Sequence, residues 1–250
     1  MASITSWHCN KHHPIGWCLF VLIIREALDM SKAIYILLSK TPTRFGKVIR
    51  KIGNQQYNHA SLILDDNLEH IYAFARTCHA APLLGGLVRE NLDRFTLRQS
   101  HDVPVTIFRI PVTDEQHDEI SSWVSNMLNN KKYVYNLFSV ITYPVFKGFT
   151  VKNAFSCIEF VTYVLQYLGF CKDKIACKYK PDDLLISLKE YIYAQDDVRK
   201  YITYNDNANA YFVPFQMRII PKSIASVCRI IKHSFSLSPL LSNLQTFHIN

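Results

Sequence analysis

The stretch Ser156-Cys-Ile-Glu-Phe-Val-Thr-Tyr-Val-Leu-Gln-Tyr-Leu-Gly169 leaves its backbone little choice. Ser156 and Glu159 have the spacing of a capping box, in which each side chain covers an orphan amide at a helix start. Ile158, Val161, Leu165 and Leu168 recur at helical spacing, and Gly169 suits the left-handed residue that ends a helix. The spacing predicts a helix that opens at the Ser156 cap, with Cys157 in its first turn. A thiol there feels the positive end of the helix dipole, which favours the thiolate that attacks carbonyl carbon. The competing reading is a small buried hydrophobe, since free cysteines are among the most buried residues. A nucleophile also needs a base, and the rest of the chain must supply it.

Upstream, Ala33-Ile-Tyr-Ile-Leu-Leu38 reads as a buried strand, and Met30 just before it is a plausible domain start. Residues 43–52 are amphipathic, with Phe45, Val48, Ile49 and Ile52 opposite Arg44, Lys47, Arg50 and Lys51, a short basic helix packed by its apolar face. Two β-rich runs, 57–64 and 68–76, flank the turn Asp65-Asp-Asn67 and predict a hairpin with His59 near the start of its first strand. A two-residue loop pairs His59 opposite Phe74, with Tyr72 and His70 on the same face; a three-residue loop flips that face. Pro82, Gly85-Gly86 and Arg89-Glu-Asn91 mark 77–101 as a long surface loop. A strand follows at 104–110, then a helix opened by a second capping box, Thr113 with Gln116, and packed through Ile120, Val124 and Leu128. Leu137, Val140 and Ile141 suggest a further helix ended by Pro144, and Pro181-Asp-Asp183 opens another with proline and acids in its first turn.

Beyond Asp206 there is no Asp or Glu. Ile220, Ile224, Val227, Ile231 and Phe235 form a stripe beside Lys222, Arg229 and Lys232. Residues 219–235 are therefore either a terminal helix docked on the domain or an amphipathic helix in peripheral contact with a membrane.

Composition narrows the function classes. Hydrophobic residues at 49% and charged residues at 19% describe a globular chain with material for a core. Seven cysteines, an odd number with no Cys-x-x-Cys pair, fit a reducing, cytoplasmic setting rather than a disulfide framework. His8, Cys9, His12, His13 and Cys18 are metal-ligand types, but no second half closes a tetrahedral site, so neither metal nor cofactor is expected. The apolar run Trp17–Ile24 is shorter than the roughly 20 residues that span a bilayer, and no small-residue cleavage site precedes Arg25. The net charge of +8 is scattered, without an arginine-rich arm or aromatic RNA-binding signature, so no nucleic-acid partner is expected.

A strand histidine at 59, a neighbouring strand, a long excursion and then a helix-opening cysteine at 157 form an order with a known likeness. The chain resembles the circularly permuted papain-like proteins, the branch of the NlpC-type cysteine hydrolases that includes YiiX-like proteins and the lecithin:retinol acyltransferase group. Tyr57-Asn-His-Ala-Ser61, Ile71-Tyr-Ala-Phe74 and Phe155-Ser-Cys-Ile-Glu-Phe-Val161 carry the resemblance, which covers about 30–200. Gly85-Gly-Leu-Val-Arg-Glu-Asn91 and Pro181-Asp-Asp-Leu184 also look like bacterial members of that branch. The resemblance implies an α+β fold in which an antiparallel sheet carrying the histidine packs on the cysteine helix. The domain is then 30–205, with 1–29 as an extension outside the core and 206–250 as a basic C-terminal extension.

Residue by residue, the resemblance implies Cys157 as nucleophile, His59 as the base that holds the thiolate as an ion pair, and the Cys157 amide as an oxyanion donor. The imidazole-orienting third residue falls at Tyr72, with His70 as alternative. A tyrosine accepts a hydrogen bond from the ring but cannot stabilise an imidazolium as a carboxylate does. The implied function is a thiol hydrolase, amidase- or peptidase-like, or an acyltransferase, acting on an acyl- or peptidyl-containing substrate at an amide, ester or thioester bond. Two other readings stand beside it: a lipid acyltransferase held at a membrane by its tail, and a non-catalytic binding module on the same scaffold.

Overall fold

The computed structural model describes residues 32–81, 83–205, 209–214, 216–217 and 219–234. The 1–29 extension with its His8/Cys9 cluster, Phe235, and the side chains of Phe45 and Ile52 lie outside what is described. In chain order the main elements are β1 (Ala33–Ser39), α1 (Arg44–Gly53), β2 (His59–Ile63), β3 (Ile71–Arg76), β4 (Gly85–Arg89), α2 (Leu92–Thr96), β5 (Pro104–Pro111) and α3 (Asp114–Asn129). There follow β6 (Val134–Tyr135), α4 (Leu137–Ile141), α5 (Tyr143–Phe146), β7 (Ala154–Phe155), α6 (Cys157–Tyr167), α7 (Pro181–Ser187), β8 (Ile192–Asp197) and α8 (Ile219–Ser234). The fold is α+β. Among the described residues, an antiparallel six-stranded sheet runs in the order β4-β3-β2-β1-β5-β8, and β6 and β7 form a short parallel pair.

Strand β1 lies inside the sheet and is buried along its whole length, which is why its sequence is a continuous apolar run. Ile34, Ile36 and Leu38 face one core with Phe74, Phe108, Trp123, Phe160 and Val164, supplied by β3, β5, α3 and α6. Ala33, Tyr35 and Leu37 face a second core that includes Phe95 of α2, Val103, Val198 and Ile202. The edge strand β8 is mostly exposed and carries Asp196 and Asp197, a sequence that alternation did not announce and that suits an edge.

The β2–β3 hairpin takes the register in which Leu62 pairs with Tyr72 and Ile63 with Ile71. Its turn is longer than two residues: Asp65 accepts from the amides of Glu69 and His70, and Leu68 adopts a left-handed φ of 58°. Side chains alternate, so Leu62 shares a face with Tyr72 while His59 and Ser61 share the other.

The expected surface loop at 77–101 instead contains a strand and a short helix. Gly85–Arg89 pairs with β3, and Asn91 caps α2 by accepting from the Arg94 amide at 3.0 Å. Gly85 is required there, because an added Cβ would lie 2.6 Å from Cβ of Tyr135. After β6 the chain forms two short helices, α4 and α5, with Pro144 in the first turn of α5 rather than at the end of a longer helix. In α3, Ile120 and Val124 are buried as their spacing predicts, but Trp123 and Met127 complete the face while Leu128 is exposed.

Helix α8 docks by a face adjacent to the one its apolar stripe suggested. Ile230 and Ser226 are buried, Ile230 against Val134, Val151 and Ala154, and Arg229 donates to the Lys131 carbonyl at 2.8 Å. Ile220, Ile224 and Ile231 remain on the surface. Among the described residues, no helix is long and apolar enough to cross a membrane.

Candidate active site

Aromatic packing fixes the start of α6. The Phe155 ring meets Phe74 at 5.2 Å and Tyr163 at 5.5 Å, and Phe160 stacks on Trp123 at 5.3 Å. The capping box forms as its spacing requires: the Glu159 amide donates to Ser156 Oγ at 3.2 Å, and the Ser156 amide donates to Glu159 Oε2 at 3.3 Å. Gly169 follows with φ 95°. The Cys157 thiol, buried in the first turn, is thereby pointed at the start of β2.

That strand start is clamped from the other side. Asp182, in the first turn of α7, accepts from the amides of Gln56 and Tyr57 at 2.9 and 3.3 Å, and Tyr57 shares a 2.7 Å hydroxyl contact with Thr106. The Pro181-Asp-Asp183 run thus holds the segment that presents His59.

The imidazole of His59 lines the same cleft as Cys157, close enough for the two to shift each other's protonation, and it contacts a carboxylate the sequence did not single out. His59 Nε2 is 3.0 Å from each oxygen of Glu90, which follows directly on β4 and is almost wholly buried. Ser61, two residues along the His59 face, donates to Glu90 Oε2 at 2.6 Å, and the Glu90 amide is fixed by the Ile71 carbonyl at 2.8 Å. Phe95 packs on the imidazole with ring centroids 6.3 Å apart.

Neither residue expected in the third place is there. Tyr72 is on the opposite face of the hairpin, paired with Leu62 and Arg89, because the longer turn shifts the register by one. His70 precedes β3 on the surface, with Nδ1 3.4 Å from Asp65. Glu90 was missed because Gly85-Gly86 and a run of polar residues read as loop. The signal that could have found it is the Asn91 cap, which marks a helix start immediately after it.

No family model, curated protein or solved structure matches this chain. The chemistry of the site therefore has to be read from its geometry.

Burial alone would depress the His59 pKa, but the Glu90 charge and the contact with Cys157 outweigh it and push it up to about 10. Burial would likewise raise the Glu90 carboxyl, and the His59 charge and hydrogen bond hold it below the usual range. For Cys157, burial and the Glu90 charge oppose ionisation, while the His59 hydrogen bond and charge and the Ala60 N–H prevail and lower its pKa. A thiolate–imidazolium pair at neutral pH is the state these directions describe.

Two neighbours complete the surroundings. Tyr135, on β6, lines the same cleft; burial and the adjacent thiolate raise its phenol far above the ordinary value, so it stays a neutral donor. Glu159 is pushed up to about 8 by burial, against the Ser156 amide and Thr150. At neutral pH it is mostly protonated and adds little negative charge beside the thiolate. An acid whose folded pKa is raised costs stability as pH rises from 4.5 towards 8. Glutamine keeps the capping box without that charge. Glu159→Gln is accordingly expected to match the wild type in stability near pH 4.5 and to exceed it by roughly 4 kcal/mol at pH 8.5, read by urea titration. An equal gap at both values would refute the assignment.

The cleft that contains Cys157 and His59 encloses about 240 Å³. Its lining includes Val48 and Ile49 of α1 together with Leu137, Val140 and Ile141. The apolar face of α1 therefore borders a cavity rather than packing fully, and Val48 is half exposed. Among the described residues no group of His, Cys, Asp and Glu could hold a metal ion.

Proposed function

We propose that this chain is a cysteine-dependent hydrolase or acyltransferase of permuted papain-like architecture, acting on an amide, ester or thioester bond. The observation that carries the reading is the His59 ring set between the buried thiol of Cys157 and the buried carboxylate of Glu90. A strand histidine has many structural uses, but a carboxylate on one side and a helix-opening thiol on the other is the arrangement that activates a nucleophile.

In the proposed reaction the thiolate adds to the carbonyl carbon and the carbonyl π pair moves to oxygen. That oxyanion is met by the Cys157 amide, which has no intrahelical acceptor in the first turn, and by the Tyr135 hydroxyl. His59 gives its proton to the departing amine, alcohol or thiol as the bond to carbon breaks, leaving a thioester. The neutral imidazole then takes a proton from water, or from an acceptor alcohol or amine, as it attacks the thioester; the tetrahedral adduct collapses, the carbon–sulfur bond breaks, and Cys157 leaves as the thiolate while the acid or acyl-transfer product departs. Glu90 keeps the ring oriented and stabilises the imidazolium throughout.

The reading as a non-catalytic binding module drew on a tyrosine standing where the imidazole needs a carboxylate, and Glu90 supplies that carboxylate. A panel of acyl and peptidyl electrophile probes distinguishes the two. Labelling confined to Cys157, and absent from Cys157→Ala, supports the enzyme; no labelling by any probe would sink it.

The surface of α8 favours a membrane contact as an addition to this reading. Ile220, Ile224 and Ile231 are exposed on the helix that also carries Arg229 and Lys232. Full-length protein is expected to float with anionic liposomes, and Ile220→Asp/Ile224→Asp to float severalfold less. Equal flotation rules out this helix as the contact.

A further inference from the structure

The charges along the cleft are unbalanced in a way the nucleophile does not require. Among the described residues that line the cleft Glu90 is the sole acid, and it is already shared by His59, Ser61 and Arg94. Against it stand Arg76, Arg94 and Lys180. Arg76 closes β3 and makes a 3.3 Å contact from Nη1 to the His79 carbonyl. The Arg94 side chain is only 9% exposed, with its guanidinium 4.0 Å above the Tyr211 ring and Nη2 donating to the Arg76 carbonyl at 2.7 Å. Its buried Nε lies 4.0 Å from Glu90 Oε1 and makes no hydrogen bond. Arg76 pairs with Gly85, where an added Cβ would lie 2.6 Å from Cβ of Tyr135, and Arg76, Tyr135 and Cys157 line the same cavity.

We propose that this part of the cleft is an anion subsite in which Arg76, backed by Arg94, binds a carboxylate or phosphate that the substrate carries near its scissile carbonyl. The inference rests on Cys157 being the nucleophile. A planar guanidinium presents paired N–H donors that match either oxyanion, and a water-poor cavity strengthens the attraction. The lining also holds the apolar side chains of Val48, Ile49, Leu137, Val140 and Ile141. The cleft thus fits a substrate that carries both an apolar portion and an anionic group. Tyr211 brings the segment 209–214 onto this subsite, tied by the His79 amide to the Tyr211 carbonyl at 2.7 Å, so the functional unit extends past residue 205.

Two alkylating agents of nearly equal size test the idea: iodoacetate, an anion, and iodoacetamide, its neutral analogue. In wild-type full-length protein, the iodoacetate-to-iodoacetamide rate ratio at Cys157 is expected to exceed that of free cysteine by about tenfold. Arg76→Met should bring the ratio down several-fold, the ratio cancelling any change in the thiol's own reactivity, and Arg76→Lys should retain part of it. A ratio that is the same in wild type and Arg76→Met overturns the subsite. A Cys157 that reacts with neither agent faster than free cysteine overturns the nucleophile reading instead. Protection against iodoacetamide by inorganic phosphate but not acetate assigns a phosphoryl group, the reverse assigns a carboxylate, and protection by neither overturns the proposal.

Discussion

His59→Ala is expected to slow alkylation of Cys157 by iodoacetamide at pH 6 by about 30- to 100-fold. In the wild type the imidazolium hydrogen bond and charge hold the thiol below its ordinary value of 9.0. Without them, burial and the Glu90 charge both act against ionisation, and the thiol moves above 9.0. At pH 6 the thiolate fraction then falls, partly offset because a more basic thiolate is intrinsically more reactive. The rate is read per cysteine by mass spectrometry, with Cys171 and Cys177 as internal references. Burial raises both of those thiols, and neither is paired with an imidazolium. If wild-type Cys157 reacts no faster than Cys171 at pH 6, the ion pair does not exist and the proposed function falls with it.

How far the site could be read from the chain depended on whether the information was local. The Ser156–Glu159 box and the Gly169 stop are set by residues three to four apart, and the helix they bound formed where the spacing placed it. The Thr113–Gln116 box did the same for Asp114–Asn129. The six-stranded sheet was legible only in part. Its buried strands are apolar runs, whereas Gly85–Arg89 is short, opens with two glycines and is strand-like only because it has β3 to pair with. The partner of His59 was out of reach for the same reason. It depends on hairpin register, and a one-residue difference in turn length moved Tyr72 to the opposite face. Glu90 comes to the imidazole from the neighbour on the far side of β3, a relation no local pattern encodes. The α8 stripe failed differently: an apolar stripe marks a face that prefers not to meet water, and does not say which part of it the domain covers.

Glu90→Gln should produce the largest loss of stability among single substitutions at the site while sparing the nucleophile itself. It removes one partner of a buried ion pair, leaving a protonated His59 and the Arg94 guanidinium without the carboxylate between them, a change that costs about 3–5 kcal/mol when the remaining charge stays buried. The cost depends on pH in a defined way. Glu90, held below the usual range, contributes stability that is present above about 4.5 and lost as pH falls through its depressed folded value. His59, raised from 6.5 to about 10, contributes stability that is complete below 6.5 and lost as pH climbs towards 10. The gap between wild type and Glu90→Gln is therefore expected to be widest between about pH 4.5 and 6.5 and to narrow on both sides, measured by urea unfolding across that range. Kinetics should move with it. With the carboxylate gone, the His59 pKa drops towards its ordinary value or below, since burial then acts unopposed by Glu90. The alkaline limb of Cys157 activity, set by loss of the imidazolium proton, should shift from near pH 10 to near neutrality or lower. A merely structural Glu90 would lower stability and leave that limb where it was. If the limb stays fixed while stability falls, Glu90 is a buttress of the fold, and the orienting role passes to some other group.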